Sequence, residues 1–399
     1  MIGALAASAT ARVVPGTRKR SRSGARQRVG LAGIGVAVGA GVLAYRGRKR
    51  FLGSLFREGR EVEPVFASPP IDPSVSGSVG SALPIDALGR EGARFVHSVT
   101  SSSDVLDVLG EFAIARPIRV FVGHHAAPTI EDRVSLALAE LDRTDAWSRS
   151  TLLVLAPAGT GYANSTPVDA LEILTRGDCA SVVIGYGLLP SFLSMDRTAS
   201  GSATQRALID AILDRGYAGR LLLYGESLGA RVQQHALDSY LMSRVDRALW
   251  VGTPGGAQHM AETMVRIEHP AALSDTDAKV WLLEHDADPV VRLRHDVLWR
   301  RPAWLASNGA RGREVPRDMQ WWPGITYAQI IIDTVFATDI RPGDFHSRGH
   351  DYRADLAAVT SAAFGFGLDE QRIVRLDARL RALEIARAAR IDGGFAPTP

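Results

Sequence analysis

Residues 221–230 read Leu221-Leu222-Leu223-Tyr224-Gly225-Glu226-Ser227-Leu228-Gly229-Ala230. A short aliphatic run passes into G-x-S-x-G, and an amphipathic pattern from Leu228 to Leu241 follows directly. The two glycines allow the chain to turn sharply from strand to helix, which lifts the Ser227 oxygen clear of the backbone. The Leu228 N–H then stands at a helix start, where it can face a developing oxyanion. G-x-S-x-G alone is a weak pattern. A strand before it and a helix after it make it a nucleophile elbow.

Outward from the elbow, short β-branched or aliphatic runs recur at wide spacing: Ile118 to Val122, Leu152 to Leu155, Ser181 to Ile184, Ala248 to Val251 and Val280 to Leu283. Helical patterns lie between them, including Glu131 to Leu141 and Ala203 to Leu213, the latter stopped by Gly216. Alternating strands and helices predict right-handed crossovers and a mostly parallel sheet covered by helices on both faces. In such a sheet the chemistry belongs at the carboxyl ends of the strands.

A serine hydroxyl needs an oriented imidazole to take its proton, so an acid and then a histidine are expected after Ser227. Beyond Val280 to Leu283 the chain reads Glu284-His285-Asp286-Ala287-Asp288-Pro289-Val290. Asp288 is the first choice of acid, because an Asp-Pro-Val just past a strand resembles the acid loop of many hydrolases; Asp286 is the alternative. His295 follows too soon to leave room for another strand, so the base is His350 or His346, both within RPGDFHSRGHDY. His350 is preferred for its flanking Gly349 and the helical run beyond it. The second oxyanion donor is expected from Gly159, Thr160 or Gly161, in the glycine turn after Leu152 to Leu155. No lysine lies near that turn, so it is not a phosphate-binding Walker loop.

Other singular residues have plainer readings. His346 and His350 are four apart, but in Gly/Ser-rich sequence without H-E-x-x-H, and no metal or other cofactor is expected. His124 and His125 at a strand end read as one packed and one solvated ring. Trp321-Trp322 could line an acyl pocket, though half-buried core aromatics are the default. The single cysteine, Cys179, excludes an intramolecular disulfide and reads as an inert buried thiol.

The 399 residues carry a formal charge of +3, but the charge is unevenly placed. Residues 1–60 hold 13 of the 46 basic side chains and one of the 43 acidic ones, which leaves the rest at net −9. A nucleic-acid-binding main domain is therefore not expected. Within that basic region Val29 to Tyr45 is uncharged and covers about 25 Å of a ~30 Å hydrocarbon layer as a helix. It is expected to be a transmembrane helix, with Gly35 and Gly39 spaced for close packing in a possible homodimer. Arginines and lysines on both sides give nearly equal votes on orientation. Residues 61–85, rich in Pro, Ser and Gly, read as a linker or lead-in, and 86–399 as the catalytic domain.

SGSVGSALPIDALGREGARFV at 76–96, PIRVFVG at 117–123, GTGY at 159–162, GYGLLPSFLS at 185–194, GESLGA at 225–230, DPVV at 288–291, QWWPGITYAQ at 320–329 and GHDY at 349–352 together carry a resemblance. The chain resembles the actinobacterial membrane-associated α/β-hydrolases, in which a membrane region precedes the catalytic domain. That resemblance implies an α/β-hydrolase fold and favours Ser227, Asp288 and His350. The membrane region differs: one marginal span stands where several would be usual. The expectation is a membrane-anchored, single-pass serine hydrolase acting on a small-molecule or lipid acyl substrate through an acyl-enzyme. An acyltransferase with the same triad, or a non-catalytic binding or scaffold protein on this fold, are the alternatives.

Overall fold

The computed structural model describes residues 59–187, 198–256, 264–267, 278–305, 312, 315–337 and 342–394. The run Val29 to Tyr45 lies outside the described residues. Among those described, no helix is long and apolar enough to cross a membrane.

Two helices, α1 (Ile85–Val96) and α2 (Ser102–Leu109), lead into β1 (Ile118–Val122). Strands and helices then alternate: α3 (Ile130–Arg143), β2 (Thr151–Ala156), α4 (Ser165–Leu174), β3 (Cys179–Ile184), α5 (Thr198–Asp214), β4 (Arg220–Glu226), α6 (Leu228–Ala236), α7 (Ser239–Arg244), β5 (Arg247–Val251), β6 (Met264–Ile267), β7 (Val280–Leu283), α8 (Ile325–Phe336), α9 (Arg353–Ala363) and α10 (Glu370–Gly394). Local chemistry sets several boundaries. α2 starts at a reciprocal Ser101/Asp104 capping box and stops at Gly110 in the left-handed region, while Thr129 caps α3.

The seven strands pair in the order β1-β3-β2-β4-β5-β7-β6, and every pairing is parallel. All residues of β1, β2, β3 and β7 are buried, as their apolar runs demand of a sheet covered on both faces. β4 lies between β2 and β5 and all three run parallel, so the loops leaving them meet at the carboxyl end of the sheet.

The expected strands are present, with ends moved by a residue or two. β6, MVRI, was not anticipated, because an arginine interrupts a run of only four residues. The expected helix from Leu228 to Leu241 is two helices. Leu237 is extended (φ −99°, ψ 131°), and the Asp238 carboxylate restarts the helix by accepting from the Leu241 N–H at 2.9 Å. In the proline-rich stretch 61–85, Phe66, Val75 and Leu83 are buried, and Val75 bridges Arg119 of β1 in parallel.

One buried charge cluster ties this architecture together. Arg119, fully buried in β1, meets Glu172 at 2.6 Å and Asp169 at 2.7 Å, both on α4, and Asp169 also meets Arg387 of α10 at 2.5 Å. The guanidinium additionally donates to the Phe95 carbonyl at 3.0 Å. Each buried charge therefore has an opposite partner, the condition for keeping it out of water.

Candidate functional site

Ser227 sits between the last residue of β4 and the first of α6, with φ 53° and ψ −127°. That is a backbone conformation a side-chain-bearing residue adopts only under constraint. The constraint is visible on both sides. A Cβ on Gly225 would come within 2.8 Å of the Ala230 backbone, and one on Gly229 within 2.1 Å of the Ala156 carbonyl oxygen. Only glycines let α6 fold back this closely on β4 and β2. The Ser227 N–H is held by the Val251 carbonyl of β5 at 2.8 Å.

Asp288 lies in the loop after β7 and is fully buried. Its Oδ1 accepts from the Val290 N–H at 2.7 Å, and its Oδ2 faces His350 Nδ1 at 2.7 Å and accepts from the Tyr352 hydroxyl at 2.6 Å. The His350 ring packs on Gly252: a Cβ there would meet its Cε1 at 3.0 Å and Nδ1 at 3.2 Å. Gly252 follows Val251, whose carbonyl holds Ser227, so the imidazole and the elbow share one neighbourhood. Burial works against a charge on His350, but the facing Asp288 carboxylate, its hydrogen bond, and Glu226 and Asp351 farther off outweigh it. The ring's pKa is raised above its ordinary value.

The alternatives are placed elsewhere. The Asp286 side chain packs against Gly312. His346 is 59% exposed and pairs with Asp344 at 3.1 Å, not with Asp288.

The glycine turn expected to supply an oxyanion donor follows β2, the neighbour of β4 in the sheet. Leu228, fully buried, packs with Ala156, Tyr186 and Val232, which brings the start of α6 against the end of β2. The Gly161 N–H donates to the Ala158 carbonyl at 2.9 Å, which closes the turn. Among the described residues no backbone hydrogen bond engages the Gly159 or Thr160 amide.

Three groups escaped the sequence reading. Glu226, next to Ser227, accepts from Asn164 Nδ2 at 2.7 Å and the Tyr224 hydroxyl at 2.6 Å, joining the elbow to the start of α4. Tyr352 had a signal, its place two residues after His350. His285 had one too: it stands in the acid loop itself.

The remaining singular residues are placed as follows. Cys179 is buried, and that burial pushes its thiol pKa well up. His125 is exposed and His124 half-buried. Trp321 is half-buried and donates to the Val297 carbonyl at 2.9 Å, whereas Trp322 is 57% exposed and so is not the core aromatic expected. Among the described residues no group of three or more His, Cys, Asp or Glu side chains is arranged to hold a metal ion.

Among solved structures, an acetyl xylan esterase is similar at 18% identity over 36% of this chain and 84% of its own, with a TM-score of 0.28. Trichoderma reesei cutinase is similar at 17% identity over 52% of this chain and 90% of its own (TM-score 0.28). Lysin B from mycobacteriophage D29 is similar at 18% identity over 52% and 98% (TM-score 0.33). Likenesses this slight carry no argument about chemistry. A comparison with curated proteins finds no match. The profile of the alpha/beta-hydrolase family matches residues 118–275 and 264–375, well over half of the sequence and all seven strands, and the chain belongs to that family.

Proposed function

We propose that this protein is a serine hydrolase that cleaves an ester or related acyl bond through an acyl-enzyme. The observation that carries the reading is the Asp288–His350 pair packed on Gly252, beside a serine held in a strained elbow. In this reading Ser227 Oγ attacks the acyl carbonyl while His350 Nε2 takes its proton. Asp288 keeps the other ring proton on Nδ1 and stabilises the imidazolium that forms. Leu228 N–H and an amide from Gly159 or Thr160 stabilise the oxyanion. His350 then returns the proton to the leaving alcohol, and a water activated by the same imidazole releases the acid and restores Ser227.

The test is a fluorophosphonate probe. Wild type is expected to be labelled and Ser227→Ala not; equal labelling of both refutes the assignment. The uneven charge supports a second element of the proposal. Residues 1–60, with 13 basic side chains and the uncharged run Val29 to Tyr45, hold the enzyme at an anionic membrane, where a lipid acyl group would be at hand.

A further inference from the structure

His285 lies in the same loop as Asp288 and is 5% exposed. Its Nε2 stands 2.9 Å from Asp355 Oδ2, at the start of α9, and its Nδ1 stands 2.9 Å from the Gly349 carbonyl oxygen. A carbonyl and a carboxylate both accept, so the ring satisfies both only when each nitrogen carries a proton. It is then a buried imidazolium neutralised by Asp355. Its pKa is raised although burial opposes the charge, because the Asp355 hydrogen bond and charge, the Gly349 carbonyl and Asp288 outweigh that burial.

We propose that His285 and Asp355 form a second buried histidine–carboxylate pair that positions His350. The inference rests on the hydrolase reading above. Gly349 precedes His350, so the carbonyl that His285 holds belongs to the peptide that leads into His350. Gly349 has φ +60°, a conformation in which that carbonyl can turn inward. Asp355 Oδ2 also accepts from the Ser347 hydroxyl at 3.0 Å, so one carboxylate restrains the loop at two points. The His285 ring stacks on Tyr352, with centroids 4.1 Å apart and planes at 24°, and the His285 N–H donates to the Tyr352 oxygen at 3.1 Å. Tyr352 in turn donates to Asp288. The pair thus grips the peptide before the base and the phenol that orients its acid. The charged and titratable groups around the ring are Asp355 from α9, Tyr352 just ahead of it, and Asp288 from its own loop, with Glu284 adjacent in the chain.

The test uses the full chain, p-nitrophenyl butyrate kinetics across pH, fluorophosphonate labelling rates, and the low-field NMR signal of the His350 Nδ1 proton. His285→Gln is expected to lower kcat at least tenfold with KM within twofold, to slow labelling in step, and to broaden that proton signal. Asp355→Asn removes the countercharge, so the alkaline fall of the profile, where His285 loses its second proton, is expected at lower pH than in wild type. Asp355→Glu is expected to return it toward the wild-type position. A His285→Gln enzyme within twofold of wild-type kcat, or an Asp355→Asn profile scaled down without moving, overturns the proposal. If His285→Gln does not fold, the two Asp355 variants decide. A wild type that no probe labels refutes the hydrolase reading instead, and an unchanged His350 proton signal in His285→Gln would then overturn the positioning role separately.

Discussion

The Tyr352 hydroxyl and His350 Nδ1 share one acceptor, Asp288 Oδ2, at 2.6 and 2.7 Å. The phenol therefore fixes the oxygen on which the imidazole turns. Tyr352→Phe keeps the ring and its stack on His285 and removes that one donor. Loss of a buried hydrogen bond to a charged group is worth about 1.5–3 kcal/mol, and about 1.4 kcal/mol of barrier is tenfold in rate. A tenfold or greater drop in kcat is expected on p-nitrophenyl esters; a change below twofold would remove Tyr352 from the mechanism.

For the base, His350→Ala is expected to abolish ester hydrolysis and His346→Ala to leave at least half of it. His350 is buried against Asp288, whereas His346 is largely solvent-facing on Asp344. The opposite pattern would reverse the assignment.

The pH dependence follows from the raised pKa of His350. A general base must be neutral, so activity is lost as pH falls through that value. The acid limb of kcat/KM is accordingly expected above the ordinary histidine value near 6.5. Asp288→Asn removes the main stabiliser of the imidazolium, and any residual activity should show the limb at lower pH. A limb that stays in place would mean that another group titrates there.

Strain at the elbow gives a stability test that needs no substrate. Ser227 holds φ 53° and ψ −127°, a region glycine enters freely. Ser227→Gly is expected to be more stable than Ser227→Ala by about 1 kcal/mol in urea unfolding, with neither variant labelled by the probe. Equal stability would show that the surrounding structure relaxes.

Arg119 is a test of the fold apart from the chemistry. Arg119→Met leaves the Asp169 and Glu172 carboxylates buried without their shared partner. Breaking such a cluster costs about 3–5 kcal/mol, readable as a lower urea midpoint. Probe labelling of the folded fraction should persist, because Arg119 lies on β1, at the opposite edge of the sheet from β6 and three strands from β4.

The membrane proposal has its own outcome. The full chain is expected to sediment with vesicles containing anionic phospholipid, and less so at high salt; a chain starting at Glu61 should stay in solution and still react with the probe. A full chain that remains soluble beside such vesicles at physiological salt refutes it.

The strands and the elbow were legible in the residues alone, because each depends on neighbours in sequence. A run of buried aliphatics can only be a covered strand here, and the glycines at 225 and 229 are the ones the strand-to-helix turn requires. Ser227 and Asp288 stand just past β4 and β7, where a parallel sheet places its chemistry, whereas no strand among the described residues lies between Asp288 and His350. Partnership was not legible. Asp288 and His350 are 62 positions apart and His285 and Asp355 70, and the sequence held two candidate acids and two candidate bases of equal chemistry. The His350 ring packs on Gly252 and faces Asp288, and of the two candidate acids Asp288 is buried while Asp286 is half-buried; those placements depend on distances that exist only once the sheet has formed. Likewise, the turn hydrogen bond from the Gly161 amide to Ala158, and the placing of Tyr352 between two histidine–carboxylate pairs, arise from folding. Local rules select the elements, and the tertiary contacts between distant loops select which side chains act together.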